Sequence, residues 1–146
     1  MSKTKSILKI IILLILINPI LVFASEYVCS IKSILRLSDV GLYVTHGWAA
    51  NYMNRRFFVD RETGKVIGTT ALKARLTNFN RTYSPTILHN AQERTSYKVL
   101  TVFEDKGQFS YLRIDENVAS DEKPYSYQTA VGMHFTGTCI ERESKK

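Results

Sequence analysis

Two cysteines, Cys29 and Cys139, stand 110 positions apart near opposite ends of this 146-residue chain, and it contains no others. If they are bridged, almost the whole domain is enclosed in one covalent loop, and its first and last segments must lie side by side. In the chain-entropy model, closing a loop of about 110 residues is worth about 4 to 5 kcal/mol, comparable with the net stability of a small domain. A redox-active pair is more often spaced Cys-x-x-Cys, which is absent here, so the pair reads as a structural clamp.

A disulfide needs an oxidising compartment, and the N-terminus has the features of a route to one. Lys3, Lys5 and Lys9 lead into an apolar run over residues 10–17. Asn18 and Pro19 interrupt it, and Val22 and Ala24 occupy the small-residue positions upstream of a cut before Ser25. This is the pattern of a cleaved export signal over residues 1–24. A bilayer span needs about 20 apolar residues, so a shorter stretch containing a proline predicts no stable membrane anchor after cleavage. The lysine-led, isoleucine-rich signal has a bacterial character, and the expected location is periplasmic or secreted.

Residues 25–146 are then expected to form one domain. Of the 20 basic side chains, three leave with the signal, and the remaining 17 against 13 acidic ones give +4. The charges are interspersed and two basic residues adjoin only at Arg55-Arg56 and Lys145-Lys146, which is the pattern of a solvated surface. An exported protein seldom meets nucleic acid, so no nucleic-acid partner is expected.

Apolar residues recur at period two, which predicts an all-β, mostly antiparallel fold. Tyr27, Cys29 and Ile31 share one face of a first strand that continues, after a bend, through Leu35 and Leu37. Phe57 and Val59 precede Asp60-Arg61-Glu62-Thr63-Gly64, then Val66 and Ile67: a hairpin whose turn Asp60 caps and Gly64 closes. Tyr97, Val99, Thr101 and Phe103 alternate up to Asp105-Lys106-Gly107, and residues 108–115 return with both faces partly apolar. Residues 117–124 read as a polar loop and 133–140 as the last strand. A strand is expected over residues 76–83 with a loop through Ser84-Pro85, and a short helix after Gly47 at Ala49, Ala50, Tyr52 and Met53. The sum is a small barrel or sandwich of about six to eight strands. Its first and last strands are joined by the disulfide, and their pairing is expected to close the barrel.

The segment FFVDRETGKVIG at residues 57–68, with Phe135-Thr136-Gly137-Thr138-Cys139, resembles a pattern in small exported bacterial proteins of uncharacterised function. The resemblance implies export and a single disulfide-clamped domain, and brings no activity, ligand or functional residue with it.

The chemistry-bearing residues do not assemble into a catalytic motif. His46, His89 and His134 lack the spacings of a zinc site, no Gly-x-Ser-x-Gly elbow is present, and Asp60 and Glu62 fall on a hairpin turn. No metal or other cofactor is expected, and the reading leans away from an enzyme. The segment over residues 46–56 joins the sole tryptophan to a tyrosine and two arginines outside the regular alternation. Trp48, Tyr52, Arg55 and Arg56 are therefore the candidate binding residues, set against the plainer reading that the rings plug one end of the barrel. The function expected is non-enzymatic binding of another protein or an envelope component. A carrier of a small apolar or amphipathic ligand among the aromatic strands is the alternative, and an envelope hydrolase is a more distant one.

Overall fold

The structure, a computed structural model, describes residues 25–68, 84–90, 95–103 and 107–143; the expected export signal, the strand over residues 76–83 and Lys145-Lys146 lie outside the described residues. Nine strands form one antiparallel sheet: β1 (Ser25–Leu37), β2 (Tyr43–Thr45), β3 (Arg56–Asp60), β4 (Val66–Ile67), β5 (Ser84–Asn90), β6 (Ser96–Phe103), β7 (Gln108–Asp115), β8 (Lys123–Gln128) and β9 (His134–Glu143). Their order is β4-β3-β1-β9-β8-β7-β6-β5, with β2 also paired to β1, and the sheet curls into a half-barrel. β1 is long enough to serve β3 through residues 26–30 and β2 through residues 35–37 along one edge, while β9 runs along the other.

The concave face is the core. Tyr27, Cys29 and Ile31 from β1, Phe57 and Val59 from β3, Tyr97 and Val99 from β6, Leu112 and Ile114 from β7, Tyr125 and Tyr127 from β8, and Phe135 and Cys139 from β9 are all buried. Each large apolar side chain withdrawn from water contributes about 1.5 to 3 kcal/mol before entropy is counted. On β7 the inward set is Ser110, Leu112 and Ile114; Phe109 points outward and is half exposed, which settles the ambiguity of that two-faced strand.

The disulfide joins Cys29 to Cys139 directly across the β1–β9 ladder, with Cα atoms 3.9 Å apart. First and last strands are neighbours as expected, but their pairing does not close the sheet. They form its middle, and among the described residues its edges are β4 and β5. The two wings meet instead through side chains across the concavity. The Tyr97 hydroxyl donates to the carbonyls of Arg61 at 3.0 Å and Asp60 at 3.4 Å. The Tyr27 and Tyr97 rings lie 5.2 Å apart, and Gly64 backs onto Val99 and Ile87.

The bend in the first strand is a β-bulge between Ile31 and Ser33, where Lys32 is the extra residue. A bulge moves the inward parity by one, so Ile34 is buried while Leu37, expected on the inward face, is exposed. Gly137 sits opposite this bulge, and a Cβ there would lie 1.9 Å from the Ser30 carbonyl oxygen. The β3–β4 turn forms as expected: Asp60 Oδ1 accepts from the Glu62 and Thr63 amides at 3.0 and 2.9 Å, and Gly64 takes φ +71°.

Three local expectations are corrected. Ser84 and Pro85 lie in β5 rather than in a loop. Among the described residues this strand pairs only with β6, and a strand with one unpaired side tolerates a residue without an N–H. Lys123 and Pro124 already belong to β8, whose alternation of Tyr125 and Tyr127 carries the strand beyond the polar loop. The helix after Gly47 is a single 3-10 turn at Ala49–Asn51, with Ala49 buried beneath it.

Candidate functional site

After β2 the chain crosses one end of the half-barrel before entering β3. The His46 amide donates to the Ile34 carbonyl at 2.9 Å, and the Asn54 amide to the Ile31 carbonyl at 2.7 Å. Asn54 adopts φ 62°, a left-handed turn that asparagine tolerates, and this redirects the chain into β3. Within this crossing the rings stack in series. His46 and Trp48 are edge to face at 4.0 Å and Trp48 and Tyr52 at 5.6 Å, and the Arg55 guanidinium lies 5.6 Å from the Tyr52 ring centroid. Trp48 and Tyr52 are half-buried, with part of each ring packed on the core, whereas Arg55 is exposed. The stack therefore plugs the barrel end and also presents a rim of rings and a cation to solvent.

Arg56 does not join that stack. As the first residue of β3 it precedes the inward Phe57, so period two sends it to the convex face, opposite Ser30 of β1. There it lines a cleft of about 290 Å³ with Ser30, Lys32, Glu122 and Thr138, and with Val28, Ile140 and Arg142. The four candidate binding residues thus divide into Trp48, Tyr52 and Arg55 at the barrel end and Arg56 on the sheet's outer face.

Beside the ring stack stands a surface that was not singled out from the sequence. The β1–β2 hairpin carries Leu37, Val40, Leu42, Tyr43 and Val44, all exposed, with Val40 at 80% and Leu42 at 64%. Its turn is well tied. The Ser38 amide donates to the Leu42 carbonyl at 2.8 Å, the Leu42 amide to Ser38 Oγ at 3.0 Å, and Gly41 supplies φ +79°. Tyr43 leans on β9, its hydroxyl 3.1 Å from His134 Nε2 and its ring edge to face with that imidazole. Contiguous exposed apolar side chains of this kind are uncommon on a free surface and are typical of interaction sites. The signal was present in the sequence as Val40-Gly41-Leu42-Tyr43, an apolar run around a turn glycine.

A third cluster links elements distant in sequence. Arg61 bridges the carboxylates of Glu116, at 3.6 Å, and Glu141, and lies 5.5 Å from the Tyr27 ring centroid, while the Tyr27 hydroxyl donates to Glu116. Burial raises the Glu116 carboxyl above its usual range and the nearby Glu141 charge adds to this, with Lys123 opposing. Burial, with the charge of Asp60, pushes Tyr97 up to about 12 against the opposing pull of Arg61; burial alone raises Tyr125, whose hydroxyl has no hydrogen-bond partner among the described residues. These groups pin the β3–β4 turn to the strand ends. Asp60, considered as one of a pair of acids, is occupied with the turn amides. The three histidines sit apart: His46 on Trp48, His134 on Tyr43, and His89 on β5 near Thr95. Among the described residues no three His, Cys, Asp or Glu side chains gather as a metal site.

Comparisons with protein-family models, with curated proteins and with solved structures find no match to this chain.

Proposed function

We propose that this protein is an exported bacterial binding protein, without catalytic activity of its own, that docks a protein partner through the β1–β2 hairpin and the adjoining rim of Trp48, Tyr52 and Arg55. The observation that carries the reading is the hairpin: five apolar side chains exposed on one short, hydrogen-bonded projection. Tyrosine, tryptophan and arginine are the residue types that dominate binding energy at protein interfaces, and they adjoin it. An anchored turn loses little conformational freedom on docking, so more of the contact energy appears as affinity. The carrier alternative is disfavoured by the concave face, where Tyr27, Tyr97, Tyr127 and Phe57 fill the positions a carrier would keep open.

The test is site-specific photocrosslinking in the natural host, with the crosslinker placed in turn at Val40, at Leu42 and at Phe109 on the outer face. One adduct shared by Val40 and Leu42 and missing at Phe109 is expected. The crosslinked protein, once purified, should lose about tenfold or more in affinity for a Val40→Ser, Leu42→Ser variant. Equal crosslinking at Phe109, or an affinity unchanged in that variant, overturns the assignment.

A further inference from the structure

We propose that the cleft on the convex face is a binding site for an organic oxyanion, a phosphate or sulfate monoester with an apolar portion. Its oxyanion is held between Lys32 and Arg56, and its apolar part lies along Val28 and Ile140 toward Arg142.

Strand register fixes the layout. Arg56 and Ser30 are cross-strand partners, as are Ser30 and Thr138, so one rung of the outer face reads Arg56, Ser30, Thr138. The next rung toward Ser25 pairs Val28 with Ile140, and the one beyond pairs Glu26 with Arg142. Lys32, two residues along β1 from Ser30 on the same outward face, lines the cleft beside this rung. It is the extra residue of the bulge, an arrangement only a glycine at position 137 leaves room for. One end of the cleft therefore holds two cations and the Ser30 hydroxyl, with the Glu122 carboxylate beyond Thr138 on its far side, and its middle is an apolar step of one valine and one isoleucine.

The charges are available. Neither Lys32, Arg56 nor Arg142 forms an ion pair with any described residue. Glu122 is the one acid in the lining, and its carboxylate already accepts from the Thr138 hydroxyl at 2.9 Å on the β8 side. Three cations against one carboxylate give the lining +2, with Glu26 facing Arg142 on the adjoining rung, so the positive excess lies at the Lys32–Arg56 end. Lysine and arginine with a hydroxyl between them match the oxygens of a phosphate or sulfate, and the guanidinium can bind two of these at once. The floor is preorganised, because β1 and β9 are bridged by Cys29–Cys139 on the opposite face of the same ladder. The half-exposed Ile140 beside Val28 explains why a purely inorganic ion leaves part of the cleft unused.

Titration calorimetry on the folded chain at low salt tests this with four probes. These are inorganic phosphate, octyl phosphate, octyltrimethylammonium, and phosphatidylcholine vesicles with and without phosphatidic acid. Octyl phosphate is expected to bind about tenfold tighter than inorganic phosphate, and Lys32→Gln with Arg56→Gln to weaken it by about tenfold or more. Ile140→Ser should remove the advantage of the octyl chain. Vesicle binding that needs phosphatidic acid and is lost in the Lys32→Gln, Arg56→Gln variant assigns the oxyanion to a lipid headgroup. Binding of octyl phosphate without vesicle binding assigns it to a soluble ester. No binding of octyl phosphate, equal binding by the doubly substituted protein, or equal binding of octyltrimethylammonium overturns the proposal. The Val40→Ser, Leu42→Ser variant should bind octyl phosphate normally, which separates failure here from failure of the protein-docking reading.

Discussion

Replacing Gly137 by alanine is the sharpest test of how this sheet is built. The added Cβ would stand 1.9 Å from the Ser30 carbonyl oxygen, 3.0 Å from a Tyr125 ring carbon and 3.1 Å from the Lys32 amide nitrogen. Carbon and oxygen settle at about 3.3 Å, so β1 and β9 must part locally by about 1.4 Å. The obstructing atom is backbone in the middle of the sheet, and the same stretch of β1 is held on its other side by the Ile31 amide to the Arg55 carbonyl at 2.9 Å. Relief therefore comes only by disrupting ladder bonds, which places the cost at the upper end of overpacking, about 3 kcal/mol. Gly47 is the matched control, where an added Cβ would meet nothing within 4 Å and φ is not positive, and alanine there should be neutral or stabilising by about 0.4 to 1 kcal/mol. Urea unfolding followed by Trp48 fluorescence measures both, with the slope checked so that a shift in midpoint reads as stability. A Gly137→Ala protein within about 0.5 kcal/mol of the parent would mean that the bulge is not packed as described.

Replacing Cys29 and Cys139 together by alanine should cost about 4 to 5 kcal/mol in the same assay, since the closed loop spans 110 residues; a loss under about 1 kcal/mol contradicts the clamp. Tyr97 binds its proton more tightly folded, to about 12, than at its ordinary 10.0, so the folded state holds more protons over that interval. The contribution of Tyr97 should be flat below pH 10, and stability should fall as pH rises from there toward 12, less steeply in Tyr97→Phe; a urea midpoint that climbs from pH 10 to 12 refutes the direction. Asp60→Ala removes the acceptor of two turn amides and should cost about 1 to 2 kcal/mol, whereas Asp60→Asn keeps an acceptor oxygen and should lose less than half of that. Equal losses in the two Asp60 variants would show that the turn does not depend on that oxygen.

Much of this architecture was legible because strand alternation and turn chemistry are local. Tyr97, Val99, Thr101 and Phe103 alternate inward as their spacing dictates, and Asp60 and Gly64 build the turn their residue types favour. The segment at residues 57–68 and the terminal Phe135-to-Cys139 pattern resolve into structural tasks: Phe57 and Val59 fill the core, Asp60 caps, Gly64 and Gly137 make room, and Cys139 bridges. What stayed hidden depended on contacts between remote segments. The bulge at Lys32 exists because β1 must follow both β3 and β9, and nothing in Ile31-Lys32-Ser33 announces it. Likewise, Arg61 finds Glu116 and Glu141 only once the sheet has curled. The parting of Arg55 from Arg56 was readable, since adjacent residues at the start of a strand face opposite ways and Phe57 faces inward.

The register of the central strands has a mechanical consequence. Ser25 and Glu143 are partners, so the described chain enters and leaves the sheet at the same end of two adjacent inner strands, with the disulfide four residues in on each side. Tension applied between the two ends parts at most the four outer residue pairs before the sulfur bridge carries it, and the segment the bridge encloses is not loaded. The apolar hairpin lies at the opposite end of β1, and thirteen extended residues at about 3.3 Å each carry it about 40 Å away. A molecule tethered by either terminus therefore holds its hairpin at arm's length, facing away from whatever it is fastened to.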